Sequence, residues 1–321
     1  MIIPKKLRIG DEIRVLSPSS SIERTGGLEA NQAAEETLRK LGFKVTFGKH
    51  ILENDVLGSA SIESRVEDIH QAFLDEHVKG ILTSIGGFNC NELLPYLDYE
   101  LIKNHPKVFC GYSDITALSN AIYAQTGLVT YSGPHYTSFK MRVHQKYQTE
   151  CFRNVLMSEG KHQLSASDTW SNDPWYMPNY TPHIQQGEWK IYSEGKASGT
   201  SVGGNIGTFN LLQGTRYQPA DEAVVGFLEL EEEGDFRDFT RAIASFLQAY
   251  TPKALLIGRF PQETEMSEER LRLVLGKYPE LKSIPVIYDM DFGHTQPIMT
   301  FPIGQVVHVD TFSKVVSFFD E

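Results

Sequence analysis

Four short segments of this sequence carry residue types suited to nucleophilic and acid–base chemistry. Gly111-Tyr112-Ser113-Asp114 follows the apolar run Val108 to Cys110 and opens a helix-period segment. A sharp turn in that setting holds a hydroxyl beside helix-terminal N–H groups, which suit a developing oxyanion. Ser113 is therefore a candidate nucleophile; its other reading is an N-cap, because Ser and Asp are ordinary residues at a helix start. The second glycine of G-x-S-x-G is absent, Ile115 standing in its place. Gly86-Gly87 ends another apolar run, where backbone N–H groups either form part of an oxyanion hole or simply make a tight turn.

Glu229 closes the apolar run Val224 to Leu230, where an ionised carboxylate requires a donor. Glu231, Glu232 and Glu233 read as charge on a solvated loop, with Glu231 the alternative partner because strand alternation puts it on the face of Glu229. Among ten histidines, His294 stands out in Asp291-Phe-Gly-His-Thr-Gln-Pro, a Gly- and Pro-bounded turn of the kind in which functional residues concentrate. No histidine falls in a metal-binding spacing, and Cys90, Cys110 and Cys151 form no C-x-x-C, so neither a zinc site nor a disulfide framework is expected. Gly203-Gly204-Asn205-Ile206-Gly207 lacks the remaining residues of a phosphate-binding loop, so no nucleotide cofactor is expected.

The elements that must position these residues follow from periodicity. Apolar runs at Ile13–Leu16, Phe43–Phe47, Gly80–Ile85 and Val108–Cys110 alternate with helical spacing over Leu28–Leu41, Ser61–Leu74 and Thr116–Ala124. Alternation of this kind predicts a parallel sheet with its ligand site at the carboxyl ends of the strands. Ser17–Ser21, Gly86–Asn91 and Gly111–Asp114 fall at such ends. From about Ser158 to Gly195 the pattern gives way to a polar, aromatic stretch containing Trp170, Trp175, Tyr176 and Tyr180, read as packing at a junction or as a stacking platform for a planar ligand. Strands at Val224–Leu230, Ala254–Ile257 and Ile284–Met290, with helices at Phe239–Ala249 and Ser267–Leu275, then predict a second, mixed α/β or β-rich unit. The expected division is 1–165, an aromatic linker and substrate loop at 166–195, and 196–321.

At 321 residues the chain is long enough for about two domains. Its 40% hydrophobic and 22% charged content is that of a folded globular protein. A net charge of −11 with no basic stripe argues against a nucleic-acid partner. The absence of a leader-like start, and of any apolar run long enough to span a bilayer, predicts a cytoplasmic protein with no membrane association.

Taken in order, Ile85-Gly-Gly-Phe-Asn-Cys-Asn-Glu-Leu-Leu-Pro-Tyr-Leu-Asp-Tyr, Gly111-Tyr-Ser-Asp-Ile-Thr-Ala-Leu, Phe227-Leu-Glu and Gly293-His-Thr-Gln-Pro-Ile-Met-Thr-Phe-Pro-Ile-Gly resemble the serine peptidases of the LD-carboxypeptidase family over most of the chain. The resemblance implies a Ser-His-Glu triad with Ser113 as nucleophile, His294 as base and then acid, and Glu229 orienting the imidazole. It also implies an oxyanion hole from N–H groups of Gly86 or Gly87 and of Asp114, and no metal or cofactor. Ile85 before the glycine pair and Phe88-Asn89 after it are similar to the microcin C immunity branch rather than to the murein-recycling branch. So are Gly203-Gly-Asn-Ile-Gly-Thr-Phe-Asn-Leu-Leu-Gln-Gly-Thr and the aromatic segment.

That branch implies substrate contacts at Trp175, Tyr180 and Asn205, a flavodoxin/Rossmann-like N-terminal domain, a smaller β-rich C-terminal domain and a homodimer. The expected activity is hydrolysis of the amide joining an aminoacyl or peptidyl group to a nucleotide-like moiety. The alternatives are hydrolysis of murein tetrapeptide and a non-catalytic ligand-binding module.

Overall fold

Alternating apolar runs and amphipathic segments build a parallel sheet whose strand order opens a crevice at one edge. The computed structural model describes residues 1–177 and 180–320. Strands β1 (Glu12–Leu16), β2 (Lys44–Phe47), β3 (Val78–Thr83), β4 (Val108–Cys110) and β5 (Thr130–Ser132) run parallel in the order β2-β1-β3-β4-β5. Helices α1 (Gln32–Lys40), α2 (Ile62–Leu74), α3 (Tyr99–Asn104) and α4 (Ile115–Thr126) connect them. This is the flavodoxin-like order, in which the connections from β1 and β3 leave in opposite directions and a crevice opens at the carboxyl edge between them. Local chemistry sets the helix limits. Ser61 caps α2 by accepting from the Ser64 N–H, and Gly127 ends α4 in the left-handed conformation.

A second sheet of eight strands is ordered Lys161–Leu164, Val315–Phe319, Val306–Asp310, Lys196–Asn205, Val224–Glu229, Ala254–Gly258, Val286–Met290 and Lys190–Ser193. The four strands from Lys196–Asn205 to Val286–Met290 are parallel, and the flanking strands are antiparallel.

Sheet membership corrects the expected division of the chain. Lys161–Leu164, placed before the boundary at 165, pairs with Val315–Phe319 in the second sheet. Phe301–Ile303, placed in the C-terminal unit, pairs antiparallel with β5 in the first. The segment 166–195 is not wholly irregular: Thr169–Trp170 pairs with Gln185–Gln186, and Lys190–Ser193 edges the second sheet. The second sheet, with eight strands against six in the first, makes the C-terminal unit β-rich as expected. Short edge strands whose partners lie far along the chain leave little trace in local periodicity.

Helix α4 explains how the two sheets are joined. It is buried continuously from Ile115 to Ile122, yet carries Thr116 and Asn120 within that stretch. The Thr116 hydroxyl accepts from the Asn205 N–H at 3.0 Å. Asn120 donates to the Gly203 carbonyl at 2.8 Å and accepts from the Gly203 N–H at 3.2 Å. These bonds satisfy polar groups that would be costly inside a buried helix, and they fasten α4 to the end of Lys196–Asn205. Among the described residues no helix is long and apolar enough to cross a membrane.

Candidate active site

Ser113 stands between β4 and α4 with φ of 60°, a left-handed conformation that costs a non-glycine residue about 1–2 kcal/mol. The N-cap position belongs to Asp114, so the Ser113 hydroxyl is not engaged as a cap. Its Oγ lies 3.0 Å from His294 Nε2, and His294 Nδ1 lies 2.7 Å from Glu229 Oε2. The three residues come from remote segments, 181 and 65 positions apart along these two bonds. Glu229 ends Val224–Glu229 directly across from Asn205, the residue fastened to α4. The carboxylate is therefore carried toward Ser113 through one strand neighbour and one helix. His294 sits on the loop after Val286–Met290. Gly293, at φ of +101°, lets that loop close on the carboxylate, since a Cβ there would lie 2.9 Å from Glu229 Oε2.

Burial opposes a charge on His294, but the Glu229 carboxylate, with Glu232 and Glu231 beyond it, outweighs burial and leaves the imidazole pKa pushed up to about 9. The expectation that the acidic run is solvated surface charge holds for Glu233 alone. Glu231 and Glu232 are half-buried. Burial raises the Glu232 carboxyl above the ordinary range, with Glu233 and Glu229 adding to it against the pull of His294. Glu231 accepts from Asn205 Nδ2, while Asn205 Oδ1 accepts from the Thr208 N–H as a helix cap.

The loop Ser84–Asn89 approaches Ser113 as expected. A Cβ on Gly86 would lie 2.8 Å from Ser113 Oγ, so only glycine fits there. The N–H groups of Gly87 and Asp114 are not used in the backbone hydrogen-bond network of the described residues. The Asp114 carboxylate has a role that the sequence reading missed. It accepts from Ser19 Oγ at 2.5 Å and from the Cys90 N–H at 2.8 Å, tying together the loops after β1, β3 and β4.

The aromatic segment is anchored near His294 by an antiparallel bridge between Ser171 and Gln296, with both N–H···O contacts at 3.0 Å. Trp175 meets Tyr176 edge-on at 6.0 Å. Burial, then the charges of Glu232, Glu233 and Glu263, raise the Tyr176 phenol. Tyr180 packs under the Arg142 guanidinium at 4.6 Å. Pro178 and Asn179, between them, lie outside the described residues. Asp291, at the start of the turn that carries His294, is fully buried and held by Arg259, the Trp189 indole and the Ser167 N–H, each at 2.9 Å. It anchors the base of the His294 loop. Among the described residues no group of three His, Cys, Asp or Glu side chains is placed to hold a metal ion. A nucleophile, a base, a buried carboxylate and N–H groups around one point are the parts needed for acyl transfer.

Comparison with known proteins agrees with this chemistry. Residues 13–133 match the family model of the LD-carboxypeptidase N-terminal domain, and residues 198–309 match that of the C-terminal domain. YocD of Bacillus subtilis (strain 168), named as a carboxypeptidase, is 44% identical over 319 residues, covering 96% of each chain. A second protein of that organism, named as a murein peptide carboxypeptidase, is 27% identical over 327 residues, covering 97% of this chain and 92% of its own. The crystal structure of an MccF-like protein from Bacillus anthracis superimposes with a TM-score of 0.96 at 42% identity, covering 100% of both chains. MccF in complex with glutamyl sulfamoyl guanosine superimposes with a TM-score of 0.90 at 26% identity, covering 99% of this chain and 98% of that one.

Proposed function

The chain belongs to the LD-carboxypeptidase family and is a serine carboxypeptidase, and from that premise we propose that it cleaves the amide between an aminoacyl or peptidyl group and a nucleotide-like moiety through an acyl-enzyme on Ser113. The observation that carries the reading is the His294 imidazole bridging Ser113 Oγ at 3.0 Å and Glu229 Oε2 at 2.7 Å. His294 Nε2 takes the Ser113 proton as Oγ attacks the carbonyl carbon, and Glu229 stabilises the imidazolium that results. The N–H groups of Gly86 or Gly87 and of Asp114 receive the oxyanion. His294 then protonates the leaving amine, and water enters by the reverse sequence to free the acid and restore Ser113. Trp175 and Tyr180 stack on the planar leaving group in this reading, and Asn205 supports the site through Glu231.

The nucleotide-conjugate substrate is supported by the likeness to MccF, whose structure holds a glutamyl sulfamoyl nucleoside. The likeness to a murein peptide carboxypeptidase supports the same triad acting on the LD-amide of murein tetrapeptide. The test is release of nucleoside product from an aminoacyl-sulfamoyl adenosine by the wild type and by Ser113→Ala, with murein tetrapeptide assayed in parallel. Release by the wild type alone is the expected result. D-alanine release from tetrapeptide with no nucleoside release would move the substrate to cell-wall peptides, and silence on both would leave a ligand-binding module.

A further inference from the structure

His135 is 2% exposed and has no part in the mechanism above. Its Nδ1 pairs with Thr83 Oγ1 at 2.7 Å at the end of β3, and its Nε2 is enclosed without a hydrogen-bond partner among the described residues. The His135 ring lies against the Tyr112 ring, centroids 4.3 Å apart and planes inclined by 31°. Tyr112 in turn meets the His294 imidazole at 5.3 Å and 60°. Three rings therefore run in a row from the floor of the first sheet to the base of the nucleophile, and the middle one precedes Ser113 in the chain.

Leaving a buried polar atom unpaired costs roughly 1–3 kcal/mol, so a histidine here is kept against its own desolvation. Its shape and anchor account for that. The flat ring fills the space behind Tyr112, and the bond to Thr83 fixes the plane of the ring. We propose that His135 is a positioning residue which, through Tyr112, holds the His294 imidazole in the orientation that aims Nε2 at Ser113 Oγ. Tyr112 also offers an aromatic ring to the imidazolium formed during attack, at a distance where a cation and a ring attract. A second cation behind Tyr112 would cancel that attraction. Burial, then repulsion by His294, outweigh a polar contact with the Tyr112 backbone and draw the His135 pKa down to about 3, so it stays neutral while His294 titrates. The charged groups bearing on His294 are thus Glu229, Glu232 and Glu231, with the Tyr112 ring beside the imidazole and neutral His135 against that ring.

This inference rests on the reading of His294 as the base for Ser113, and its test separates the two. The intact protein is treated with a fluorophosphonate, which phosphonylates a serine activated by histidine whatever the natural substrate, and the rate is followed by mass spectrometry across pH. The His294 imidazole pKa is read independently by NMR, and folding is checked by thermal melting. His135→Ala and Tyr112→Leu should each slow labelling of Ser113 by about tenfold or more and lower the His294 pKa, while His135→Phe and Tyr112→Phe, which keep the rings, should stay within about threefold. If His135→Ala does not fold, Tyr112→Leu carries the same comparison.

Wild-type rate and His294 pKa in His135→Ala or Tyr112→Leu would overturn the proposal. So would His135→Phe as slow as His135→Ala, because that would assign the role to a ring nitrogen. If wild-type Ser113 is not labelled, the nucleophile reading fails by itself, and the His294 pKa in the same variants still decides whether the ring row acts on that imidazole.

Discussion

Ser113 and His294 each hold a conformation or a charge state that folding alone would not choose. The left-handed Ser113 is strained, and replacing it with glycine removes the strain at the cost of backbone entropy in the unfolded chain. Ser113→Gly is expected to be inactive and more stable by roughly 0.5–1 kcal/mol in urea unfolding, and a destabilised variant would contradict the strain. His294 must be neutral to accept a proton, and its pKa is raised by acidic neighbours, so the acylation rate should fall as pH drops through a value above the ordinary imidazole range. Glu232→Gln removes one negative charge facing the ring and so lowers that pKa. The acid limb of kcat/KM should move to lower pH, and a limb that stayed in place or moved up would show that Glu232 does not act on His294. Ser113, Glu229 and His294, which the structure brings within hydrogen-bond reach of one another, were legible in the sequence because each stands in a short motif at a strand end. The Asp114 carboxylate and His135 were not, since their partners, Ser19, Cys90 and Thr83, are distant in the chain.

At the scale of elements, α4 does two jobs: it presents Ser113 at its start, and through Thr116 and Asn120 it holds the strand beside the one that carries Glu229. Asn120→Leu would leave the Gly203 N–H and carbonyl unpaired in a buried interface, a loss of about 2–4 kcal/mol. Activity should fall with it even at temperatures where the variant is fully folded, because the strand beside Glu229 is then held to the helix that bears Ser113 by the Thr116–Asn205 bond alone. Full activity in the folded Asn120→Leu protein would show that other contacts set this alignment. Periodicity located α4 to within a residue or two at each end. It said nothing of why a helix apolar on nearly every side should carry Thr and Asn, since a polar residue in an apolar run has no period to betray its partner.

For the whole molecule, exchange of strands between the sheets makes the two halves interdependent. Phe301–Ile303 completes the first sheet, Lys161–Leu164 completes the second, and the Ser113–His294 contact crosses between them. All three tryptophans, Trp170, Trp175 and Trp189, lie in the second half of the chain, so indole fluorescence reports there while far-UV dichroism reports on every element. The two signals should coincide in a single urea transition. Separate midpoints would show that the sheets unfold independently despite the exchanged strands.

By itself the sequence determined the local features: the alternating strands and helices of the first half, the turn that lifts Ser113, the glycines beside it, and the motifs at Glu229 and His294. These are legible because periodicity, capping and turn chemistry act within a few residues. Tertiary structure alone decided which strands belong to which sheet, that Glu231 and Glu232 are half-buried with Glu231 bonded to Asn205, that Asp114 ties three loops, and that His135 lies behind Tyr112. Each of those depends on contacts between segments tens to hundreds of residues apart, and such contacts are set by how whole elements pack rather than by the residues on either side.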